Sequence, residues 1–587
     1  MKKARIFKRV LSSVLATLTL LALVACGGGG NQPAGRDPNK DLSWLNTDGS
    51  LPLVKEGTEK TLHIAVRMYE DSGDPEGQWF YKFVEKEMNI NLKVTRFTAS
   101  NASEYISMLM GDGDLPDIII GASLGSGSLV EYGTEGMIAD LAPYITPDIA
   151  PNLSKLYSEN PEYKQYITDK EGHMWSLGFV TDPYDRGTIP RAFINYDWLE
   201  DAGLTTPTTL NEFVDMLRAF KQRGNDIVPM GGSYVSNNPS LIILNALGYI
   251  TEDATGMSVG LRNGQPVIPA ADREAYGEYI KTMYTLYDEG LIHQDFYTMD
   301  AAKTTALLAS NKVGYMTTAP FVVTTQFDSW WGATALTSDK NSTPAWPAGT
   351  SQLAPGNCVF SANSENLELA VAFIDWLYEE SALNYNLATQ GPAASQTQYV
   401  YDNVVTGFTI DPETFLPSWP DFENNKSSYS SKNDFIGKEV YLFGYSIVGR
   451  GTSTLGKNKD ALQFGYSPDE IVDTYPDVSA SGIQGELRKQ TGHDGEMNFR
   501  AALEDTMVPF VTEDMPITIY YDEDTAERVN YLMTLVRTYA KEETAKFVTG
   551  RRPLTEEELN KYFDEINSLG AAEVVQITKD YYASVNK

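Results

Sequence analysis

Few residues in this chain are spaced for covalent or metal chemistry. Its four histidines, His63, His173, His293 and His493, lie far apart, and none belongs to an HExxH or CxxC pattern. Only two cysteines occur, Cys26 and Cys358. No spacing singles out a Ser-His-Asp triad, so no catalytic residue and no metal ligand is assigned. What the chain offers instead is aromatic residues interleaved with polar ones in segments that read as loops at strand ends. Tyr69, Glu70 and Asp71 form one such group, and Ser123, Trp175, Tyr184 and Arg186 follow. Trp330, Trp331 and Trp346, then Phe443 and Tyr445, complete the set. Aromatic rings stack on the polarised C–H faces of a sugar, while carboxylates, hydroxyls and guanidinium groups exchange hydrogen bonds with its hydroxyl rim. The chemistry open to these residues is reversible binding of a polyhydroxylated molecule. Arg186, in Asp182-Pro183-Tyr184-Asp185-Arg186, suits either an acidic sugar or a local pairing with Asp182 or Asp185.

The elements that must position these residues follow from apolar periodicity. Leu62, Ile64 and Val66 alternate with polar or small residues and predict a strand over 61–67. Trp79, Phe80 and Phe83 predict a helix over 76–88, and a second strand is expected over 91–95. A helix through Ile106, Leu109 and Met110, closed by Gly111-Asp112-Gly113-Asp114, leads to the apolar run 117–120. This β-α-β-α-β order, ending in a continuous apolar strand, predicts a parallel sheet buried on both faces. Ligands collect beyond the carboxyl ends of such strands, which is what singles out residues 69–71 and Ser123. Thr209 and Glu212 have capping-box spacing ahead of a helix carrying Phe213, Met216, Leu217 and Phe220. Further helices are predicted over 270–289, 301–309, 365–380, 525–548, 555–569 and 571–585, with a strand at 312–316. The stretch 320–355 is rich in Thr, Ser and aromatics without helical periodicity, and 396–513 yields no fold assignment.

The amino-terminal residues set the compartment. A basic segment (Lys2, Lys3, Arg5, Lys8, Arg9) precedes an apolar run too short to span a bilayer, the pattern of a secretory signal. Leu23-Val24-Ala25-Cys26 resembles the lipobox of bacterial lipoproteins, which implies that residues 1–25 are a signal peptide and that Cys26 is lipidated (diacylglyceryl and palmitate chains). Residues 26–59, rich in Gly, Pro and Asn, are expected to form a flexible tether. With 587 residues, 42% of them apolar, the chain is long enough for two lobes. Its formal charge of −33 makes nucleic acid a poor partner.

Read in order, several segments resemble the family 1 extracellular solute-binding proteins, lipoproteins that serve ABC importers of carbohydrates. They are Gly113-Asp114-Leu115-Pro116-Asp117-Ile118, Gly136 through Leu141, Asn195-Tyr196-Asp197-Trp198-Leu199, Pro207 through Phe213, Ala309-Ser310-Asn311-Lys312-Val313-Gly314, Ala370 through Tyr378, and Phe547 through Leu554. The resemblance implies a periplasmic-binding-protein-like α/β fold, two α/β lobes joined by a hinge with extra C-terminal helices. The expected division is 60–185 for the first lobe with returns near 310–360, 186–310 and 361–523 for the second, and 524–587 for helices bracing both. The implied function is capture of a carbohydrate, an oligosaccharide, by a monomer lipid-anchored on the extracellular face of the cell membrane, with delivery to ABC permease subunits and no cofactor. Long members similar to alginate-binding proteins carry a calcium loop where this chain has only Lys221-Gln222-Arg223-Gly224-Asn225-Asp226, too few oxygen ligands for the six to eight that calcium takes. Three alternatives stay open: a secreted glycoside hydrolase or lyase, whose two carboxylates could hide among 79 acidic residues, a peptide-binding protein on the same fold, and a sensor's ligand-presenting partner.

Overall fold

The computed structural model describes residues 36–585, except 49, 69–71, 99, 182–190, 325, 349–354, 381–382, 393–395, 402–406, 411–416, 430–434, 442–447, 452–501, 504, 513–514 and 516–518. Strand β1 (Thr61–Met68) turns Leu62, Ile64, Val66 and Met68 to one face and Ala65 to the other, and both faces are covered. Helix α1 (Trp79–Glu87) buries Trp79, Phe80 and Phe83 against the first face. Strand β2 (Asn91–Thr98) runs parallel to β1, with Thr61 opposite Asn91 and Met68 opposite Thr98. Helix α2 (Ala102–Asp112) covers the other face with Ile106, Leu109 and Met110, and stops where Gly113 takes a left-handed conformation (φ 72°) that other residues adopt only at a cost. Strand β3 (Ile118–Ile120), buried throughout, lies parallel to β1 on the side away from β2. Helix α3 (Ser126–Thr134) follows, then α4 (Pro151–Glu159), α5 (Pro161–Ile167) and strand β4 (Phe179–Thr181).

After β4 the chain enters a second core. Strand β5 (Phe193–Asn195) is followed by α6 (Tyr196–Asp201) and α7 (Leu210–Lys221), which starts with the expected capping box of Thr209 and Glu212. Helix α8 (Leu241–Ala246), a three-stranded meander β6 (Tyr249–Ile250), β7 (Gly260–Arg262) and β8 (Gln265–Val267), then α9 (Tyr276–Asp288) and α10 (Ala301–Leu308), complete the wall. Strands β9 (Tyr315–Met316) and β10 (Trp330–Gly332) flank β5, both antiparallel to it. Strand β11 (Trp346–Pro347) is the last piece of this lobe before the chain returns to the first.

There β12 (Cys358–Phe360) adds antiparallel to β3, giving the sheet order β12-β3-β1-β2. Helix α11 (Leu367–Asp375), the small pair β13 (Thr409–Ile410) and β14 (Pro417–Ser418), and β15 (Gly449–Gly451), paired with β4, belong on this side. Finally β16 (Val511–Thr512) pairs with β11, and the helices α12 (Glu523–Val548), α13 (Glu556–Ile566) and α14 (Ala572–Val585) pack on the second core. No described helix is long and apolar enough to cross a membrane.

Two expectations are corrected. Residues 315–347 do not return to the first lobe, because β9 and β10 pair with β5, whereas described residues of 361–441, expected in the second, fill the first core with Phe373, Trp376 and Trp419. Nor are the described residues 36–59 of the expected tether free: Leu45 and Val54 form an antiparallel bridge, both are buried in the first core with Leu53, and Lys40 pairs with Glu368 at 2.6 Å.

One buried carboxylate ties α4 to α11. Asp375, at the end of α11, accepts bonds from the backbone N–H groups of Asn152 (3.2 Å) and Leu153 (2.7 Å) and from Asn152 Nδ2 (3.0 Å). Burial outweighs these bonds and raises its carboxyl to about 7. The folded chain therefore holds this proton more tightly than the unfolded one. The stabilisation is complete below about pH 4 and is lost as the pH climbs through about 7. Asp375→Asn should flatten that part of the melting-temperature profile, and identical slopes for variant and parent would refute the assignment.

Candidate functional site

The carboxyl ends of β1, β2 and β3 and the amino end of β12 form one polar edge of the first sheet. At its centre Arg67, from the last turn of the β1 pleat, donates from Nη1 to Ser123 Oγ at 3.2 Å, and Ser123 Oγ donates to Asn357 Oδ1 at 3.4 Å. Ser123 is exposed and held at φ 52°, a left-handed conformation that a non-glycine residue adopts only when its surroundings impose it. They do so through the backbone. Gly121 and Ala122 donate their N–H groups to Asn357 O (2.7 and 3.2 Å), and Leu124 N–H donates to Gly356 O (3.0 Å). Gly356 is itself pinned by donating its N–H to the buried Ser176 Oγ at 2.7 Å.

Two buried polar atoms near the end of β1 have no hydrogen-bond partner: the Arg67 Nε–H and the Ser72 hydroxyl, the latter on a residue only 6% exposed. Buried polar groups are ordinarily satisfied, so these two are candidates to bond a polar molecule at this strand end. Arg96, on the opposite face of the sheet at the end of β2, donates to Ser72 O at 2.7 Å and fixes the loop backbone there. In the second lobe Thr317 and Thr318, after β9, are half-buried, and Met230 bridges parallel to Tyr315. Hydroxyl, amide and guanidinium groups at these positions supply donors and acceptors for a neutral, oxygen-rich molecule.

Of the residues singled out in the sequence, Ser123 stands on this edge. Tyr69, Glu70, Asp71, Tyr184, Arg186, Phe443, Tyr445 and Cys26 lie outside the described residues. The four tryptophans are not loop residues presenting an open ring. Trp175 is fully buried in the small core under α2 and α3, its ring so close to Gly133 that a Cβ there would sit 2.3 Å from Cε3. Trp330 and Trp331 are the paired residues of β10, opposite Asn195 and Ile194, and Trp346 opens β11; all three are buried in the second core. Arg67, Ser72 and Asn357 were missed. Arg67 reads as an ordinary polar position in an alternating strand, and Asn357 reaches Ser123 across 234 residues of sequence, a proximity that no local pattern carries.

Among the described residues one cluster has metal-ligand composition: Asp169, Glu171 and His173 bring ligand atoms within 4.8 Å of one another. Asp169 is already saturated. Its Oδ1 accepts from the N–H groups of Glu171 (3.0 Å) and His173 (2.9 Å), and its Oδ2 bonds to His173 Nδ1 (3.0 Å) and Trp175 Nε1 (2.9 Å). A carboxylate has about four acceptor sites, so this one serves the turn and the seat of Trp175. In the loop after α7, Asp226 pairs with Lys312 at 2.9 Å while Lys221 Nζ donates to the carbonyls of Asn225 and Ile227 (3.3 and 2.7 Å), so ammonium groups occupy its oxygens.

Comparison with known proteins gives concordant results. The sequence model described as "Bacterial extracellular solute-binding protein" matches residues 71–383. The fructooligosaccharide ABC transporter substrate-binding protein FusA of Streptococcus pneumoniae is 27% identical over 412 residues, 67% of this chain and 73% of that one. The solved structure of FusA in complex with kestose superimposes with a TM-score of 0.59 at 20% identity, covering 90% of this chain and all of that one. A solute-binding protein from Bifidobacterium longum infantis, described as binding HMO, superimposes with a TM-score of 0.63 at 18% identity, covering 90% and 99%. The periplasmic-binding-protein-like fold expected from the sequence is the one these structures share.

Proposed function

This chain belongs to the bacterial extracellular solute-binding protein family, and from that premise we propose that it captures an oligosaccharide between its two lobes and delivers it to an ABC permease. The observation that carries the reading is the long alignment with FusA, whose name states fructooligosaccharide uptake and whose structure holds kestose. The polar edge around Arg67, Ser123 and Asn357 supports it with suitable chemistry. Members of the family bind solutes and do not turn them over, so the edge needs no nucleophile or paired acid and base. Ligand contacts to both lobes favour the closed arrangement, because a ligand shifts an equilibrium only by its differential affinity for the two states. We place the protein on the outer face of the cell membrane, held as a monomer by a lipid on Cys26. Two or more acyl chains make such an anchor stable, at about 0.8 kcal/mol per buried CH₂, and keep captured solute near the importer.

The test is calorimetry of the chain from residue 26 carrying Cys26→Ser, titrated with fructans, milk oligosaccharides, oligogalacturonates and peptides. Saturable binding of one glycan class is expected, and hydrolysis of any glycan at substoichiometric protein, or binding of peptides alone, overturns the proposal. For the glycan that binds, Arg67→Ala should weaken affinity about 10- to 100-fold, the equivalent of losing hydrogen bonds from a charged donor. An unchanged dissociation constant would remove Arg67 from the site.

A further inference from the structure

We infer that the peptide joining Tyr520 to Tyr521 is the pivot about which the two lobes turn. Tyr520 is buried in the core beneath the first sheet, alongside Phe97, Leu129, Ile138 and Trp175, and its hydroxyl donates to Ile167 O at 3.3 Å. The next residue is held by the other lobe. Tyr521 shares a buried 2.8 Å hydrogen bond with Thr578 Oγ1 of α14, and Asp522 then caps α12 by accepting from Thr525 N–H at 2.9 Å. Both helices are rooted in the second core, through Leu532, Met533 and Val536 on α12 and Val574 on α14. Consecutive Cα atoms are ~3.8 Å apart, so the lobes cannot separate at this point while both tyrosines stay seated.

Two other crossings are longer in sequence. Val180 in the first core and Ala192 in the second, and likewise Trp346 and Cys358, are separated by about a dozen residues, chain enough to span roughly 40 Å if extended. The contacts around Tyr520 are also of a kind that tolerates rolling. Tyr581 of α14 lies edge-on to Tyr521, ring centroids 5.5 Å apart, and accepts the Tyr520 N–H at 3.3 Å. Nearby, the first turn of α12 rests on α3 at a bare backbone position, where a Cβ added to Gly127 would lie 3.5 Å from Ala526 Cβ. Small surfaces touch beside one inserted aromatic ring. The site edge and the pivot are then separate parts, one reading the ligand and the other fixing the axis.

This inference rests on the two-lobe closure proposed above, and the experiment separates the two. In the full chain carrying Cys26→Ser, with Cys358 buried and unreactive, spin labels are placed on two pairs of exposed positions. Lys170→Cys with Asp580→Cys reports beside the pivot. Val400→Cys with Leu204→Cys reports on lobe positions outside the pivot contacts. Distances are measured by pulsed electron resonance, without ligand and with kestose, a milk tetrasaccharide or oligogalacturonate. The expected result is a shift of about 5 Å or more for the second pair with at least one glycan, and of less than about 3 Å for the first. Equal shifts in both pairs overturn the pivot and leave closure standing. No shift in either pair overturns closure, and the pivot with it. Tyr520→Ala should broaden the distribution of the first pair, with Tyr520→Phe, which keeps the ring, as the fallback that preserves folding. A first-pair distribution indifferent to Tyr520→Ala in a folded variant also overturns the assignment.

Discussion

Gly356→Ala should both destabilise the protein and abolish most of its ligand affinity, although no side chain is lost. Gly356 has φ +92°, and a Cβ there would stand 2.1 Å from Leu124 O and 3.1 Å from Leu124 C. The obstacle is backbone, so no rotamer change relieves it. The left-handed conformation alone costs an alanine roughly 1–2 kcal/mol. The larger consequence is geometric, because the 121–124 loop must move by about an ångström, and with it Ser123, whose position the hydrogen bonds from Leu124 and Gly356 define. Misplacement by that distance is enough to forfeit hydrogen bonds whose donor–acceptor range is a few tenths of an ångström wide. Gly113→Ala is the control, since Gly113 has φ +72° with nothing within 4 Å of its added Cβ. It should lower the melting temperature by a similar strain alone and leave affinity unchanged. If calorimetry finds the two variants binding within about twofold of each other, about 0.4 kcal/mol, the 121–124 and 356–357 junction is not part of the ligand site.

The fold was legible wherever an element is long enough to show its period. The capping box at Thr209, the glycine stop at Gly113 and the alternation of β1 all depend on neighbours within about four residues, and the structure has them where periodicity places them. In the second lobe the strand expected over 312–316 is present as β9, but two others defeat that reading. Strands β10 and β11 are two or three residues long, too short for alternation to register, so Trp330, Trp331 and Trp346 read as loop aromatics. Their membership depends on pairing with β5 and β16, between 130 and 170 residues away in sequence. The same holds for the amino-terminal stretch, where Gly and Pro conceal the bridge that docks Leu45 and Val54. At the site, Ser123 was visible because it follows an apolar strand, a local cue. Arg67 became distinctive only when its Nε was seen to be buried without an acceptor.

Trp331→Ala should unfold the second lobe more readily and leave the ligand affinity of the remaining folded protein intact. The side chain is fully buried at the centre of β10, opposite Ile194 of β5, and its Nε1–H donates to Asp505 Oδ2 at 3.1 Å. Truncating a buried tryptophan removes its contacts and leaves a cavity, at a cost of about 3–5 kcal/mol. That is a large share of the 5–15 kcal/mol that typically separates folded from unfolded states. The neighbouring Gly332 shows how little room there is for adjustment, since a Cβ there would meet Ala502 O at 2.6 Å, so the segment bearing Asp505 packs directly on the strand. Trp331→Phe keeps most of the apolar volume while losing the indole donor, and should fall between parent and alanine variant in denaturant midpoint. A tryptophan that stacked on sugar would behave in the opposite way, with near-parental stability and affinity reduced in both variants. Because β10 joins β5 to the 502–507 segment, the cavity also loosens the framework on which the C-terminal helices sit, so the denaturant transition of Trp331→Ala should broaden as the second lobe begins to melt before the first.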